Sequence, residues 1–518
     1  MHTTSTVDVP ALKDLSRIAA ENNPNKLAFA NGLDGDAVTW EEFDRQSNRA
    51  ANAFQDHVGQ GDRVAFLCEN GLEHTTLLNG ALKAGCIVSN LHVRASPNTI
   101  KQCVDELRPR VLVVDETMLE FFEERVREKL TTDLSAVVAI GDAGEVADES
   151  FDTFVEDQPA TEPDVRVSEE DVAVVMWTSG TTGEPKGWCQ TNRGLYLRGS
   201  TLVSVYEINR PARQPNVFTP SFAAWYSVML PAMVSGATTV FQPNWDPERY
   251  LELIDERELT SALLVPTMWR EILNLENFDD YSTESLDVAA SAGEVLDATT
   301  LNRLRENICE QVKNSYAATE AYTTVMTNPE LTEERVESVG KPVPGVEVRV
   351  VDPDGSYRDV QPTGETGELA VKAPDCPVWA WGQTPKTERS FEDGWWYSGD
   401  LGYRDEDGFL YLEGRSDLMI MSKGIKVYPA PVEERLNEHP GVEESAVVGI
   451  KDDEYGEKVT AYVYRSDQSV TEEELDEWCL ESDELSRIER PREYHFTDGS
   501  LPRTSTGKLD RLSLTDED

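Results

Sequence analysis

A chain of 518 residues exceeds what a single hydrophobic core supports, so two or more structural units are expected. With 39% hydrophobic and 8% aromatic residues its composition is globular, and no stretch reads as an uninterrupted membrane span. The 97 acidic against 47 basic residues leave a formal charge of −50, a field that repels nucleic acid and anionic lipid.

Self-repulsion of that size needs dense counterions, which points to a high-salt cytoplasm and a halophilic protein. Lys supplies only 15 of the 47 cations, as suits a surface of short hydrated carboxylates. The polar start, Met1 to Pro10, lacks the basic and apolar segments of an export signal, so cytoplasmic residence is the expectation. Seven cysteines are scattered without a Cys-x-x-Cys pair, and no His lies at metal-ligand spacing, which argues against a disulfide framework or zinc site. Nor do the six histidines flank a Ser or Cys nucleophile signature. Any site for a polyanion must be locally positive, which makes single Lys and Arg residues in loops informative.

From the N-terminus, short apolar runs alternate with helical patterns, the sign of parallel β-α-β layers. Trp40, Phe43, Ser47, Ala51, Phe54 and Val58 mark one helix face; Arg63–Cys68 reads as a buried strand, Leu72–Lys83 as a helix, and Val111–Val114 and Ala136–Ile140 as strands. A second round of strands is expected at Asn216–Thr219, Thr238–Phe241, Ser261–Val265 and Leu286–Ala290. The apolar run Tyr226–Phe241 is broken by Pro231 and Gly236. From about Val346 the texture changes to strands with Gly/Pro turns, at Val346–Val351 and Glu368–Lys372. After Gly414 come strands near Ser445–Ile450 and Val459–Tyr464 and a helix at Glu472–Leu480. The fold class is therefore α/β: a large N-terminal domain of two doubly wound sheets plus a β-barrel-like subdomain, then a small α+β C-terminal domain.

The segment Trp177-Thr-Ser-Gly-Thr-Thr-Gly-Glu-Pro-Lys-Gly187 follows a predicted strand, Val172–Met176, and packs four hydroxyls, three glycines and a Lys into one loop. Backbone N–H groups and the hydroxyls of Thr178, Ser179, Thr181 and Thr182 suit phosphate oxygens, with Gly180 permitting close approach and Lys186 adding charge. It is not the Walker-type loop, which ends in Gly-Lys-Ser/Thr. The bland alternative is a flexible Ser/Thr/Gly surface turn.

The residue order in Thr178–Gly187 resembles the phosphate-loop signature of the adenylate-forming (AMP-binding) superfamily: acyl-CoA ligases, aryl-CoA ligases, luciferases and amino-acid adenylation domains. Other motifs of that superfamily recur in order. Asn314-Ser-Tyr-Ala-Ala-Thr-Glu320 resembles its Tyr-Gly-x-Thr-Glu element and Trp396-Tyr-Ser-Gly-Asp400 its Tyr-x-x-Gly-Asp. Gly414-Arg-Ser-Asp417, through Lys423-Gly424 to Pro429, resembles its hinge motif, and Leu501–Lys508 its catalytic-lysine loop. The resemblance covers nearly the whole chain and implies an acyl-CoA synthetase using ATP, Mg2+ and CoA. It further implies an AMP-binding domain over residues 1–416 and a mobile C-terminal domain over residues 417–518.

Joining a carboxylate to the α-phosphate of ATP brings two anions together, so charge must be neutralised where they meet. The resemblance gives that task to Lys508, with Glu320 as a hard oxygen ligand for Mg2+ and Thr319 on a phosphate oxygen. It implies that Asp400 accepts the ribose hydroxyls, assisted by Arg415. Tyr316 offers its face to adenine and Asn314 reads the amino edge, with Ser315 and Ala317 in the same segment and Gly293 and Glu294 in a second adenine-contacting loop. Asp417 matches the hinge about which the small domain rotates, and Ser422, Lys423 and Gly424 match the face that meets CoA. Taken singly, these residues also read as a tail Lys, a helix cap, a turn Asp and a core Tyr.

The acyl pocket is expected to be walled by Trp188, Phe222, Trp225, Tyr226, Gly293 and Ala317, an apolar, aromatic lining suited to a fatty or aryl acid. Several positions depart from the family pattern. Ala223 follows Phe222 where acyl ligases commonly carry Phe-His and amino-acid adenylating domains Phe-Asp, so no carboxylate is present to hold a substrate ammonium. Ala317 replaces the usual Gly and narrows the entrance, Asn192 stands where His is frequent, and Ile488-Glu-Arg-Pro491 lacks the usual Tyr-Lys pair. The expected activity is an AMP-forming acid–CoA ligase for a medium- or long-chain fatty acid. The alternatives are an aryl acid–CoA ligase and a stand-alone adenylating enzyme that loads a carrier protein. No carrier domain follows Lys508, which makes CoA the simplest acceptor. The expected partners are thus a small carboxylic acid, ATP and CoA, with no nucleic acid and no membrane insertion, in a monomer or homodimer.

Overall fold

The computed structural model describes residues 9–179, 185–294, 296–321, 326–328, 335–377, 379–382, 391–423, 425–452, 454–482, 485–503 and 509–515. The chain divides into two compact units, Met1–Val348 with Val371–Trp396, and Arg349–Ala370 with Tyr397–Asp518.

In the first unit an eight-stranded sheet sets Ile87–Asn90, Arg63–Leu67, Val111–Asp115 and Ala136–Ile140 side by side in parallel. The chain steps from Arg63–Leu67 to one neighbour and then back across to the other, which is double winding. Runs such as Val111-Leu-Val-Val are apolar at every position and buried throughout, as a strand covered on both faces requires. Helix Trp40–Gln55 starts on a capping box, with Thr39 Oγ1 accepting from Glu42 N and Glu42 Oε2 accepting from Thr39 N. Next to Ile87–Asn90 runs Val172–Ser179, parallel with Val88 beside Val174, and Val172–Ser179 pairs antiparallel with Pro185–Thr191.

The second round of strands divides. Arg213–Asn216 and Thr238–Phe241 continue in one sheet to Leu27–Asn31 and Ala37–Thr39, whereas Ser261–Leu264, Val288–Ala292 and Val312–Tyr316 pair in parallel in another. The two sets abut, since Thr260 N donates to Arg213 O at 2.8 Å. The strand expected at Asn216–Thr219 lies earlier, at Arg213–Asn216. Asn216 accepts from Phe218 N at 3.1 Å and donates to Trp225 O at 3.3 Å, which turns Val217 and Phe218 out of the sheet. Pro231 sits inside helix Ala223–Ser235, which runs on to Gly236 at φ 73°. Burial of Val228, Met229, Leu230 and Ala232 outweighs the roughly 3 kcal/mol that an interior proline costs.

The second unit holds most of strands Glu347–Val351, Gly367–Lys372 and Trp395–Arg404 and all of Leu410–Arg415, successive neighbours of which the last two are antiparallel. Beyond them Ile420–Ser422, Ile425–Val427, Val442–Asp452, Gly456–Arg465 and Glu493–Thr497 form a five-stranded sheet. Helices Pro429–Asn437 and Glu472–Leu480 supply Val432, Leu436, Leu475 and Cys479 to its core. No helix among the described residues is long and apolar enough to cross a membrane.

The most buried ion pair among the described residues joins Lys83 and Asp44. The Lys83 side chain is 0% exposed and its Nζ lies 2.9 Å from Asp44 Oδ1. Ser16 donates to the same oxygen at 2.7 Å, so helices Leu12–Asn22, Trp40–Gln55 and Leu72–Lys83 share one carboxylate. Lys83→Ala leaves Asp44 buried and uncompensated, and about 3–5 kcal/mol of stability should be lost. The check is the denaturant midpoint at fixed salt; an unchanged midpoint would show that the pair contributes nothing.

Candidate active site

Motif residues far apart in sequence meet at the end of strand Val172–Ser179. Thr178 lies opposite Lys186 in the antiparallel pair, and Trp177 opposite Gly187. A side chain at Gly187 would come within 2.8 Å of Val175 Cγ1 and 3.1 Å of the Trp177 ring, so glycine is what lets that indole lie flat across the pair. Thr178 Oγ1 donates to Glu320 Oε1 at 3.4 Å, and Trp188 Nε1 donates to the same carboxylate at 2.9 Å, with Thr178 Oγ1 3.2 Å away. The buried Gln190 donates to Thr319 O at 3.2 Å. The Thr319–Glu320 segment is thus fastened at two points to the strand pair Val172–Ser179 and Pro185–Thr191. Trp188, expected as an acyl-pocket wall, faces Glu320 with its indole N–H and stands 5.9 Å from the Phe391 ring.

Strands Val288–Ala292 and Val312–Tyr316 run parallel, with Ser291 beside Asn314 and Ala292 beside Ser315. Gly293–Glu294 and Tyr316–Ala317 therefore leave the sheet together at its carboxyl edge, where open α/β sheets hold their ligands. Asn314 and Ser315 are buried, and the Ser315 hydroxyl is engaged with Tyr206 OH at 2.6 Å. Glu294 caps helix Pro266–Leu273, accepting from Thr267 N at 3.1 Å and Thr267 Oγ1 at 2.7 Å, where the helix dipole favours a carboxylate.

Of the other residues expected to wall the acyl pocket, Phe222 is half-buried, with its ring centroid 5.0 Å from that of His92. Trp225 and Tyr226 lie deeper. Trp225 Nε1 donates to Asn70 Oδ1 at 2.9 Å, Tyr226 OH accepts from Asn90 Nδ2 at 2.8 Å, and both line a cavity of about 40 Å³ within the core. Behind them Asn90 Oδ1 meets His74 Nε2 at 2.9 Å, with Phe66 and Trp225 edge-on to the imidazole.

In the second unit Asp400 and Arg415 are cross-strand partners, with Arg415 Nη1 3.2 Å from Asp400 Oδ1. The same guanidinium grips Asp417 bidentately, Nε to Oδ1 at 2.8 Å and Nη2 to Oδ2 at 3.2 Å. Glu368 completes this corner, accepting from Gly399 N at 2.8 Å; burial holds its carboxyl above the usual range, and the neighbouring Asp400 adds to the effect. No motif in the sequence singled out Glu368 or Gln190, since a Glu in a strand and a Gln in a strand carry no chemical signature. Ser422 is buried in the hairpin of the small sheet, and Lys423 pairs with Glu454 at 2.7 Å and lies 4.2 Å above the Tyr455 ring. Gly180, Thr181, Thr182, Gly424 and Lys508 lie outside the described residues, as does the Ser179 side chain.

Replacing Trp188 with Phe removes the donor to Glu320 while keeping an aromatic ring. A hydrogen bond to a charged group is worth about 1.5–3 kcal/mol, so if the expected ATP–pyrophosphate exchange runs at this site its kcat/KM for ATP should fall about tenfold or more. An unchanged value would remove Trp188 from the site.

Burial pushes the His74 imidazole down from 6.5 to about 4. Between those values the unfolded chain binds a proton that the folded chain refuses. Stability should hold above pH 6.5 and decline by up to about 3 kcal/mol as pH falls toward 4. Denaturation across that window should show a shallower slope for His74→Gln; an identical slope would assign the titration elsewhere.

Residues 16–376 match the AMP-binding enzyme family and residues 431–508 match the AMP-binding enzyme C-terminal domain. The chain is 30% identical to 3-hydroxybenzoate–CoA ligase of Aromatoleum sp. (strain CIB), covering 92% of this chain and 91% of that protein. It is 27% identical to long-chain-fatty-acid–CoA ligase of Salmonella typhimurium (strain LT2), covering 98% and 96%. The crystal structure of the anthranilate CoA ligase AuaEII in complex with anthranoyl-AMP matches with a TM-score of 0.87 at 26% identity, covering 99% of this chain and 98% of that one. With a family model matched over more than half of its length and a 30% identical relative covered almost end to end, the chain belongs to the AMP-binding enzyme family.

Proposed function

We propose that the protein is an AMP-forming acid–CoA ligase, which activates a carboxylic acid as acyl-AMP and passes the acyl group to CoA. The observation that carries this reading is the meeting of Thr178, Trp188 and Glu320, which brings two separate motifs to one corner. Glu320 offers a hard carboxylate oxygen beside the Thr178 hydroxyl, a donor set suited to Mg2+, which takes one or two carboxylates and fills its sphere with phosphate oxygens and water. When bound, the metal would offset phosphate charge. Asp400, in the second unit, is the proposed ribose acceptor, and Asp417 the proposed hinge between residues 1–416 and 417–518.

For the acid, an aryl or similarly compact carboxylate is the favoured reading. Phe222 stands against His92, and the cavity that Trp225 and Tyr226 line measures about 40 Å³, little more than one water's share of liquid volume. A long alkyl tail needs a far larger channel. The ligases for 3-hydroxybenzoate and anthranilate among the similar proteins support that choice. A fatty acid remains the second reading, favoured by the apolar wall and by the likeness to a long-chain-fatty-acid–CoA ligase. The charge of −50 supports a salt-rich cytoplasm as the working medium.

Purified protein in molar KCl should release AMP and pyrophosphate with ATP, CoA and one class from a panel of aryl, fatty and short acids. No release with any acid would refute the ligase reading. Lys508→Ala should abolish acyl-AMP formation yet spare thioester formation from supplied acyl-AMP, since a cation at the attacking carboxylate serves only the first half-reaction. Equal loss of both halves would overturn that assignment.

A further inference from the structure

The chain on either side of residues 504–508 is fastened to the small sheet. Arg503 and Leu509 are antiparallel partners, and Asp510 N donates to Pro502 O at 2.8 Å, so the two flanking stems run side by side. Lys508 is the residue that precedes Leu509.

Both stems grip one strand. Val442–Asp452 pairs with Gly456–Arg465 on one side, and among the described residues no strand covers its other edge. Such an edge leaves backbone donors to be satisfied by other means. Glu433, on helix Pro429–Asn437, takes one of them, its Oε1 accepting from Val447 N at 2.6 Å. The same carboxylate accepts from Arg511 Nη2, at 2.6 Å on one oxygen and 2.7 Å on the other. On the first stem Glu444 accepts from Leu501 N at 3.4 Å and from the Arg503 guanidinium. Between these two clamps Leu501 and Leu514 pack on Ala446, and Tyr462 OH donates to Leu514 O at 2.7 Å.

The clamps differ in shelter. Arg503 is 47% exposed, whereas Arg511 and Glu433 keep only 19% and 14% of their side chains in contact with solvent. Strong salt screens the first pair far more than the second. The lasting hold on the tail is therefore the one three residues beyond Lys508.

Resting on the ligase reading and on the task given there to Lys508, we propose that Glu433 and Arg511 are positioning residues for acyl-AMP formation. Their ion pair fixes the second stem, and with it the main chain next to Lys508, against the helix and outer strand of the small sheet. In that half-reaction a carboxylate oxygen bonds to the α-phosphorus of ATP as pyrophosphate leaves with the electron pair. Glu433 and Arg511 touch neither anion and exchange no proton. They act through placement, since a shift of about 1 Å in a group that serves the transition state costs about a hundredfold in rate.

The test uses the full-length protein and the acid found active in the panel. Glu433→Gln keeps an acceptor for Val447 N but loosens the guanidinium. It should lower kcat for acyl-AMP formation at least tenfold, while KM for ATP and thioester formation from supplied acyl-AMP stay as they are. Arg511→Met should do the same, and the two changes together should cost no more than either alone, because both break one link. The double variant leaves neither charge unpaired, so it replaces a single variant that does not fold. Wild-type acyl-AMP formation in folded Glu433→Gln or in the double variant would overturn the proposal, and so would losses that multiply in the double variant. Equal loss in both half-reactions would reduce the pair to a support of the fold and overturn it too. If Lys508→Ala spares acyl-AMP formation, the assignment of Lys508 falls and this proposal with it; if Lys508→Ala abolishes it and Glu433→Gln is silent, only the role of the pair is lost.

Discussion

The chemistry assigned to this protein requires two anions to touch inside a molecule that carries a formal charge of −50. A field of that sign works against both ligands, so attraction has to be built locally, from donors that the global charge does not cancel at a few ångströms. The architecture answers with donors fixed at strand ends and at a helix start. The strand pair Val172–Ser179 and Pro185–Thr191 supplies the Thr178 hydroxyl and the Trp188 indole N–H, the helix start at Pro266 holds Glu294, and a single guanidinium steadies Asp400. Ion pairs placed at the surface would be screened in strong salt, whereas half-buried hydrogen bonds are not, so the environment that screens the surface leaves these contacts intact.

Parallel layers were legible in the sequence wherever an apolar run met a clean stop. Val111 to Val114 and Thr238 to Phe241 are apolar or β-branched throughout and bounded by polar or glycine punctuation, and helix Leu72–Lys83 lies where its periodicity put it. Two features escaped because they are decided by contacts distant in sequence. Asn216 ends its strand through bonds from its own side chain to the Phe218 and Trp225 backbones, which hydropathy does not register. The helix through Pro231 survives because its neighbours are buried all round, a tertiary effect that a local breaker rule cannot see.

The site divides along the same line. Order along the chain put forward Thr178, Glu320, Asp400 and Arg415, on the ground that a reaction that cradles phosphate and ribose needs those residue types in those loops. What order cannot convey is which atoms face each other. Trp188 read as an apolar wall, yet its indole nitrogen serves Glu320; Ser315 read as a nucleotide contact, yet its hydroxyl is engaged with Tyr206. Glu368 and Gln190 left no trace, because their roles arise only once two strands lie together.

The guanidinium of Arg415 is shared between Asp400 and Asp417, two carboxylates with different proposed tasks. A shared donor cannot strengthen its hold on one without altering its hold on the other. A sugar that occupies the oxygens of Asp400 therefore shifts the balance toward Asp417, and by thermodynamic reciprocity a change in backbone torsion at Asp417 shifts the affinity for the sugar by the same factor. Under the roles proposed for these two carboxylates, nucleotide occupancy and backbone freedom at Asp417 become one equilibrium, transmitted through a single planar side chain.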